Sequence, residues 1–380
     1  MMITQAEVEK LLGIRSADPS VLSLYASVPQ HPPALRGLPA HVDVLLSAAR
    51  SAAAEDRGVA HARDEDRRLA RRMLEIHARE WFGHTVAIFA CAESRLAEAF
   101  VLPGTFEDRA VFATRPHVRP LLLARQRFPD YCAVVVDGQH AWVFRMAGER
   151  IDKLTLPAGS GLRGTRSGGW YGLEARRVNT RMIEFARHHY RDTAAALSLV
   201  MRTSEELPVV IGGHPHDIPQ FLDELTGEMR EQVAGDFAAD AHTMTPCRVR
   251  ELAGQVVSRW VSARERRLVT EVLHEPPGGL AAIGLQPCLD AVNQRAAKLL
   301  VVPENGMIAG FACQRCAFLG STGNDCPDWG AASVAVPDLI EEMAVAALEN
   351  GAQVTAVADP PGGIAAQLRF PLAAWQAQTA

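Results

Sequence analysis

Between Tyr131 and Met146 the chain reads Y-C-A-V-V-V-D-G-Q-H-A-W-V-F-R-M, two apolar runs of strand length on either side of Asp137-Gly138. An Asp-Gly pair between such runs is a strong hairpin signal, because glycine supplies the positive φ that a tight turn needs. Arg150–Thr155 adds a further strand, so a β-meander opens here. The period then changes. From about Leu173 the apolar positions Val178, Met182, Phe185 and His189 recur at helical spacing, with Arg177, Arg181, His188 and Arg191 on the neighbouring stripe. Leu207–Ile211 is a buried strand ending at Gly212-Gly213; a turn and a helix over Ile218–Glu224 follow, and a helix over Pro246–Leu273 closes the domain.

A chain of 380 residues exceeds one ordinary core. Three α/β domains are expected, over residues 1–127, 128–274 and 275–380. The first holds the alternating strand V-L-S-L-Y-A at Val21–Ala26, a Pro-rich turn, a long polar helix from about Ala40 to Trp81, and short strands at Val86–Phe89, Leu96–Val101 and Ala110–Ala113. Its charge run D-E-D-R-R-L-A-R-R, Asp64 to Arg72, reads as a solvated helix face held by opposite charges. The third follows the linker Pro276-Pro277-Gly278-Gly279. Two helix-to-strand units, ending in Leu299–Val302 and Val354–Ala358, and a last strand near Ile364–Phe370 make a small α/β sandwich.

Apolar residues at 48% and charged residues at 22% describe a globular protein. The longest apolar runs are strand-sized, far below the roughly 20 residues that span a bilayer, so no membrane partner is expected. Met1 to Lys10 lacks a basic stretch followed by an apolar core, and a cytoplasmic location with reduced thiols is expected. Cys91, Cys132, Cys247 and Cys288 sit in apolar settings and read as buried small hydrophobes. The net charge of −5 argues against a chain that coats nucleic acid indiscriminately. Residues 161–192, however, carry seven arginines against three acidic residues, which localises any phosphate contact to this segment.

At its centre lies R-S-G-G-W-Y-G-L-E-A-R-R, Arg166 to Arg177. Gly168 and Gly169 precede a helix start, where free N–H groups and the positive dipole end suit an anion. Arg163, Arg166, Arg176, Arg177 and Arg181 suit a phosphate backbone, and Trp170 and Tyr171 suit RNA bases or ribose, on which aromatic rings stack. A plain surface loop with glycines for turning is the competing reading.

The meander, the glycine loop and the basic helix resemble the central domain of the archaeal and eukaryotic class-1 peptide-chain release factors and their relative Pelota, in which a Gly-Gly-Gln loop stands between the same elements. S-L-Y-A-S-V-P near the start and a cysteine-bearing insert in the last hundred residues are similar to that family's first and third domains. The resemblance is nearest to the bacterial branch, which includes Balon-like ribosome hibernation factors. It implies a central ribonuclease-H-like mixed sheet and a C-terminal α/β sandwich like that of kink-turn-binding ribosomal proteins. It also implies contact with ribosomal RNA and a tRNA acceptor end at the A site, and a translational GTPase such as elongation factor Tu as partner.

Trp170 stands where the family's catalytic Gln should be. An indole has one N–H donor and no acceptor, so it cannot position a water by the same bonds. Glu174 falls where the family usually carries a basic residue, and the stop-codon-reading signatures Asn-Ile-Lys-Ser and Tyr-x-Cys-x-x-x-Phe are missing from the sequence. The expectation is therefore a ribosome-binding factor in hibernation or stalled-ribosome rescue that performs no catalysis. The alternative is peptidyl-tRNA hydrolysis by a Gln-less loop. A metal-dependent nuclease and a protein-interaction module with another partner are further readings; the nuclease needs clustered carboxylates, and Asp137 is explained by its turn.

Cys313-x2-Cys316-x9-Cys326 begins as a zinc knuckle would, but Trp329 occupies the fourth place. A structural zinc completed by Asp325 or Asp328, three free thiols, and a redox role are the readings left open.

Overall fold

The computed structural model describes residues 4–372, except 17, 52–56, 149, 155–172, 203–206, 275–278, 314, 324–325, 327–329 and 331–332. Its contacts divide the chain into two compact units, one of residues 1–126 with 265–380, the other of residues 127–264.

In the first unit, helix α1 (Gln5–Leu12) precedes strand β1 (Val21–Ser27), helices α2 (Leu38–Ser51) and α3 (Arg57–His77), strands β2 (Thr85–Cys91), β3 (Leu96–Leu102) and β4 (Arg109–Ala113), and helix α4 (Arg119–Arg127). Thr4 starts α1 with a reciprocal capping box to Glu7. The strands form an antiparallel sheet in the order β3-β2-β1-β4. Strand residues alternate between two cores. Leu22, Leu24, Val86 and Ile88 pack against α2 and α3, while Val21, Tyr25, Ala87 and Phe89 pack with Leu11 of α1 and Leu121 of α4. The charge run of α3 is not wholly solvated: Asp66 is fully buried, although Arg67 and Arg71 pair with Asp64, Asp43 and Glu75 as a solvated face should.

The second unit carries strands β5 (Tyr131–Val136), β6 (Ala141–Ala147) and β7 (Arg150–Leu154), helix α5 (Leu173–Met201), strand β8 (Val209–Gly213), helices α6 (Asp217–Asp223) and α7 (Gly227–Glu231), strand β9 (Val233–Ala238) and helix α8 (Pro246–Leu273) up to Arg264. The sheet order is β7-β6-β5-β8-β9. The meander is antiparallel, and β8 and β9 run parallel to β5, which is the ribonuclease-H-like mixed arrangement. One face packs Val134, Val136 and Ile211 against α5; the other packs Ala133, Val135 and Val210 against Val249, Ala253 and Val257 of α8. Gly212 and Gly213 are glycines because the strands approach too closely for a side chain. A Cβ would lie 2.5 Å from the Phe237 ring at Gly212, and 2.6 Å from the Val136 carbonyl oxygen at Gly213.

The C-terminal part of the first unit contains β10 (Ala281–Ile283), α9 (Leu285–Asn293), β11 (Ala297–Pro303), β12 (Gly310–Cys313), β13 (Leu319–Gly320), β14 (Ser333–Val336), α10 (Leu339–Glu349), β15 (Gln353–Val357) and β16 (Ala365–Leu368). The sheet β10-β16-β11-β15 is sandwiched. Leu300, Val302 and Ala366 face α9 and α10, while Leu299, Val301 and Ala365 face Val272 of α8. A second sheet, β13-β12-β14, bears the cysteines.

A buried polar network joins the two parts of this unit. Arg119 donates to the Asp338 carboxylate at 2.9 Å and to the Gly306 carbonyl, and His117 Nε2 lies 3.0 Å from the same carboxylate. The backbone N–H groups of Val118 and Arg119 donate to Glu341, and Asp338 also caps α10 by accepting from Ile340 N–H. Burial drives the Asp338 carboxyl upward, but His117 and Arg119 outweigh it and hold the group below its ordinary value.

Candidate functional site

The segment that joins β7 to α5, residues 155–172, contains Arg163, Arg166, Gly168, Gly169, Trp170 and Tyr171, all of which lie outside the described residues. The α5 backbone runs through Arg176, Arg177 and Arg181, whose side chains also lie outside them. What is described is how α5 is held. Its buried face is Tyr190, Thr193, Ala194 and Leu197, one position round from the Phe185–His189 stripe, which is half-buried. Tyr190 donates to Asp217 Oδ1 at 3.1 Å and meets the Phe221 ring edge-on, locking the helix to the β8–α6 turn. Burial and the nearby Asp217 carboxylate push the Tyr190 phenol well up.

The basic stripe is partly neutralised. Arg187 and Arg191 both reach Glu224, at 2.8 and 3.3 Å. The Arg187 hydrogen bond, with that of Arg191, holds the Glu224 carboxyl below its ordinary value. Two of the seven arginines of residues 161–192 are therefore committed to an ion pair. His214 and His216 are exposed at the strand-to-helix turn, where the His216 N–H donates to His214 Nδ1 and Gln220 reaches back to His216.

The cysteine insert brings its three thiols together. All three sulfurs lie within 4.8 Å of one another, and Cys316 Sγ is 3.3 Å from Cys326 Sγ. A backbone hydrogen bond closes on each of Cys313 and Cys326. The Ala317 N–H donates to the Cys313 carbonyl at 2.9 Å with Ala317 at φ 58°, and the Gly330 N–H donates to the Cys326 carbonyl at 2.7 Å with Gly330 at φ 58°. In sequence, Trp329 stands where a fourth cysteine would complete the set. Trp329, Asp325 and Asp328 lie outside the described residues. Backbone N–H donation from Cys316 and Arg315, with hydrogen bonds from the neighbouring thiols, lowers the Cys313 pKa. Loss of solvent around Cys316, with hydrogen bonds shared with Cys326 and Cys313, raises that thiol to about 11. Three crowded thiols, one of them predisposed to ionise, suit three corners of a tetrahedral ion. Cys91, Cys132 and Cys288 are buried as expected; Cys247 is exposed, since it opens α8 on the outer turn.

Residues 116–265 match the family model described as bacterial archaeo-eukaryotic release factor family 10, and this match frames the second unit and its glycine loop. Peptide chain release factor subunit 1 of Thermoplasma acidophilum is 25% identical over 285 residues, 67% of each chain. Residues 116–265 are thus similar to the release-factor and Pelota superfamily. Solved structures of this superfamily align over most of the chain with low overlap. The Pelota of Archaeoglobus fulgidus is 15% identical, with 77% of this chain and 81% of that one covered at a TM-score of 0.34. Dom34 of S. cerevisiae, described as interacting with Hbs1, is 11% identical, with 78% and 82% covered at 0.40. No helix among the described residues is long and apolar enough to cross a membrane.

Two clusters escaped sequence reasoning. The His117–Arg119–Asp338–Glu341 network pairs residues more than two hundred positions apart, so no local pattern announces it. The other, Asp137, His140 and His242, hides behind a hairpin signal that fully accounts for the Asp-Gly pair.

Proposed function

We propose that the chain is a ribosome-binding factor that occupies the A site and serves in hibernation or in rescue of stalled ribosomes without releasing the peptide. The observation that carries this reading is Trp170. It follows Gly168-Gly169 inside the segment matched to the release-factor family, and an indole lacks the acceptor that a water-positioning amide provides. Arg163, Arg166, Arg176, Arg177 and Arg181 then contact RNA phosphates, and Trp170 and Tyr171 stack near the acceptor end of a tRNA. A translational GTPase such as elongation factor Tu is the partner proposed for delivery. Cys313, Cys316 and Cys326 hold a structural zinc, supported by the thiol spacing in sequence and by the mutual approach of the three sulfurs.

Release assays on ribosomes carrying a labelled peptidyl-tRNA test the reading. The expected result is that the protein competes with aminoacyl-tRNA for the A site and leaves the ester intact. Multiple-turnover ester cleavage, abolished in Trp170→Ala, would overturn it in favour of a hydrolase.

A further inference from the structure

At the end of the central sheet where β5, β8 and β9 all terminate, Asp137, His140 and His242 offer three donor atoms within 4.8 Å of one another. His140 Nδ1 is 3.4 Å from Asp137 Oδ1, and His242 Nε2 is 3.6 Å from Asp137 Oδ2. Both separations exceed the roughly 2.7–3.2 Å of an N–H···O hydrogen bond. These separations, one to each carboxylate oxygen, are close to the edges of a tetrahedron: bonds of about 2.0–2.1 Å to a central ion put neighbouring donors about 3.3–3.5 Å apart. The His242 contact at 3.6 Å lies slightly beyond that range. The His140 Nδ1 atom is shielded from solvent and has no hydrogen-bond partner. The two imidazole rings lie 4.5 Å apart at 66°, close enough to converge on one ion.

The donors are held in place by their own turns. Asp137 Oδ1 accepts the N–H groups of Gln139 and His140 at 2.7 and 2.6 Å, leaving Oδ2 toward His242. Asp240 Oδ1 accepts the His242 N–H at 3.0 Å, and the Trp142 indole donates to the Ala241 carbonyl at 3.1 Å, fastening the second histidine's turn to β6. The hairpin itself rests on α5, where Gly138 leaves just enough room beside Ala186.

We propose that Asp137, His140 and His242 form a binding site for a divalent transition-metal ion of the zinc class, with the remaining position open to solvent. Two imidazoles and one carboxylate make a nitrogen- and oxygen-rich set that suits zinc, nickel or cobalt and is chemically distinct from the thiols of the cysteine insert. His242 is 64% exposed, so an ion reaches the site without unfolding of the turn.

The test is equilibrium dialysis and absorption spectroscopy with cobalt chloride on the full chain, comparing wild type, Asp137→Asn and His242→Ala. Asparagine keeps the acceptor that the hairpin N–H groups need, and His242 lies at the surface, so both variants are expected to retain the wild-type circular dichroism. The wild type should take up one cobalt ion that gives no thiolate-to-cobalt charge-transfer band, and both variants should bind that ion ~10-fold or more weakly, since loss of a direct ligand costs at least as much as loss of an outer partner. Any thiolate-bound cobalt should be identical in all three proteins. Equal uptake of non-thiolate cobalt by wild type and either variant, or no such uptake by the wild type, would overturn the proposal.

Discussion

Arg119→Met removes the guanidinium at the centre of the buried network while keeping most of its length. Arg119 and Asp338 are each 1% exposed, so their ion pair is almost unscreened by solvent. The substitution deletes the 2.9 Å bond to Asp338 and the bond to the Gly306 carbonyl, each worth about 1.5–3 kcal/mol for a charged donor. It leaves His117 as the remaining side-chain partner of Asp338, and removing one member of a buried pair costs about 3–5 kcal/mol. Hydrogen exchange by mass spectrometry across Leu339–Glu349 reads this locally. At tenfold per about 1.4 kcal/mol, exchange in α10 should accelerate by more than about a hundredfold. Arg15→Met is the control. Its pair with Glu349 is 2.8 Å long, but the side chains are 53% and 40% exposed, so it should change exchange by less than about fivefold, under 1 kcal/mol. Adding Asp338→Asn to Arg119→Met should recover part of the loss, because the uncompensated charge goes while the cap acceptor stays. Exchange in Arg119→Met no faster than in the Arg15 control would refute the reasoning that this network fastens the two parts of the first unit.

Three further outcomes are expected. Burial pushes the Asp66 carboxyl up to about 6; one oxygen accepts the Ala92 N–H and the other has no partner. A raised acid favours the protonated folded form, so its ionisation opposes folding above about pH 6. Asp66→Asn should therefore stabilise by about 2–3 kcal/mol at pH 7.5, and urea melts should show the gain shrinking as pH falls from about 6 to about 4; a gain that ignores pH contradicts the assignment. Burial raises Cys132 to about 11 and Cys288 to about 12, so N-ethylmaleimide at neutral pH should modify exposed Cys247 in the native protein while both of those stay unmodified in peptide maps. Gly213→Ala should destabilise the second unit by about 1–3 kcal/mol, read as faster exchange in α6, whereas Gly227→Ala, which meets nothing within 4 Å, should not.

The parts of the fold that were legible are those fixed by local chemistry. The Asp137-Gly138 hairpin, the helix from Leu173 and the helix Pro246–Leu273 lie where turn residues and apolar period put them. Strand β9 carried no such signal: V-A-G-D-F-A places Gly235 and Asp236 in mid-strand, and the strand exists because Phe237 fills the space that Gly212 leaves. Helices α1 and α4 are short and were hidden for the same reason, since packing rather than period decides them. The single long helix expected from Ala40 to Trp81 is two helices, α2 and α3, on either side of residues 52–56. Asp66 sat within a run of charges whose average behaviour is solvation; only the tertiary structure shows which one turns inward. The candidate loop is known from composition and spacing, since it lies outside the described residues, whereas the pairing of Arg187 and Arg191 with Glu224 depends on where α6 ends and could not be read from the local sequence.

Sedimentation of the full chain with purified bacterial ribosomes across a series of salt concentrations tests the central claim most directly. Co-sedimentation at low salt is expected, with the logarithm of the binding constant falling linearly with that of salt, and with the slope lessened by about 1–2 in an Arg176→Ala/Arg177→Ala variant. A protein that stays in the light fractions at low salt and low temperature, or one whose binding ignores both salt and the arginines, contradicts the account.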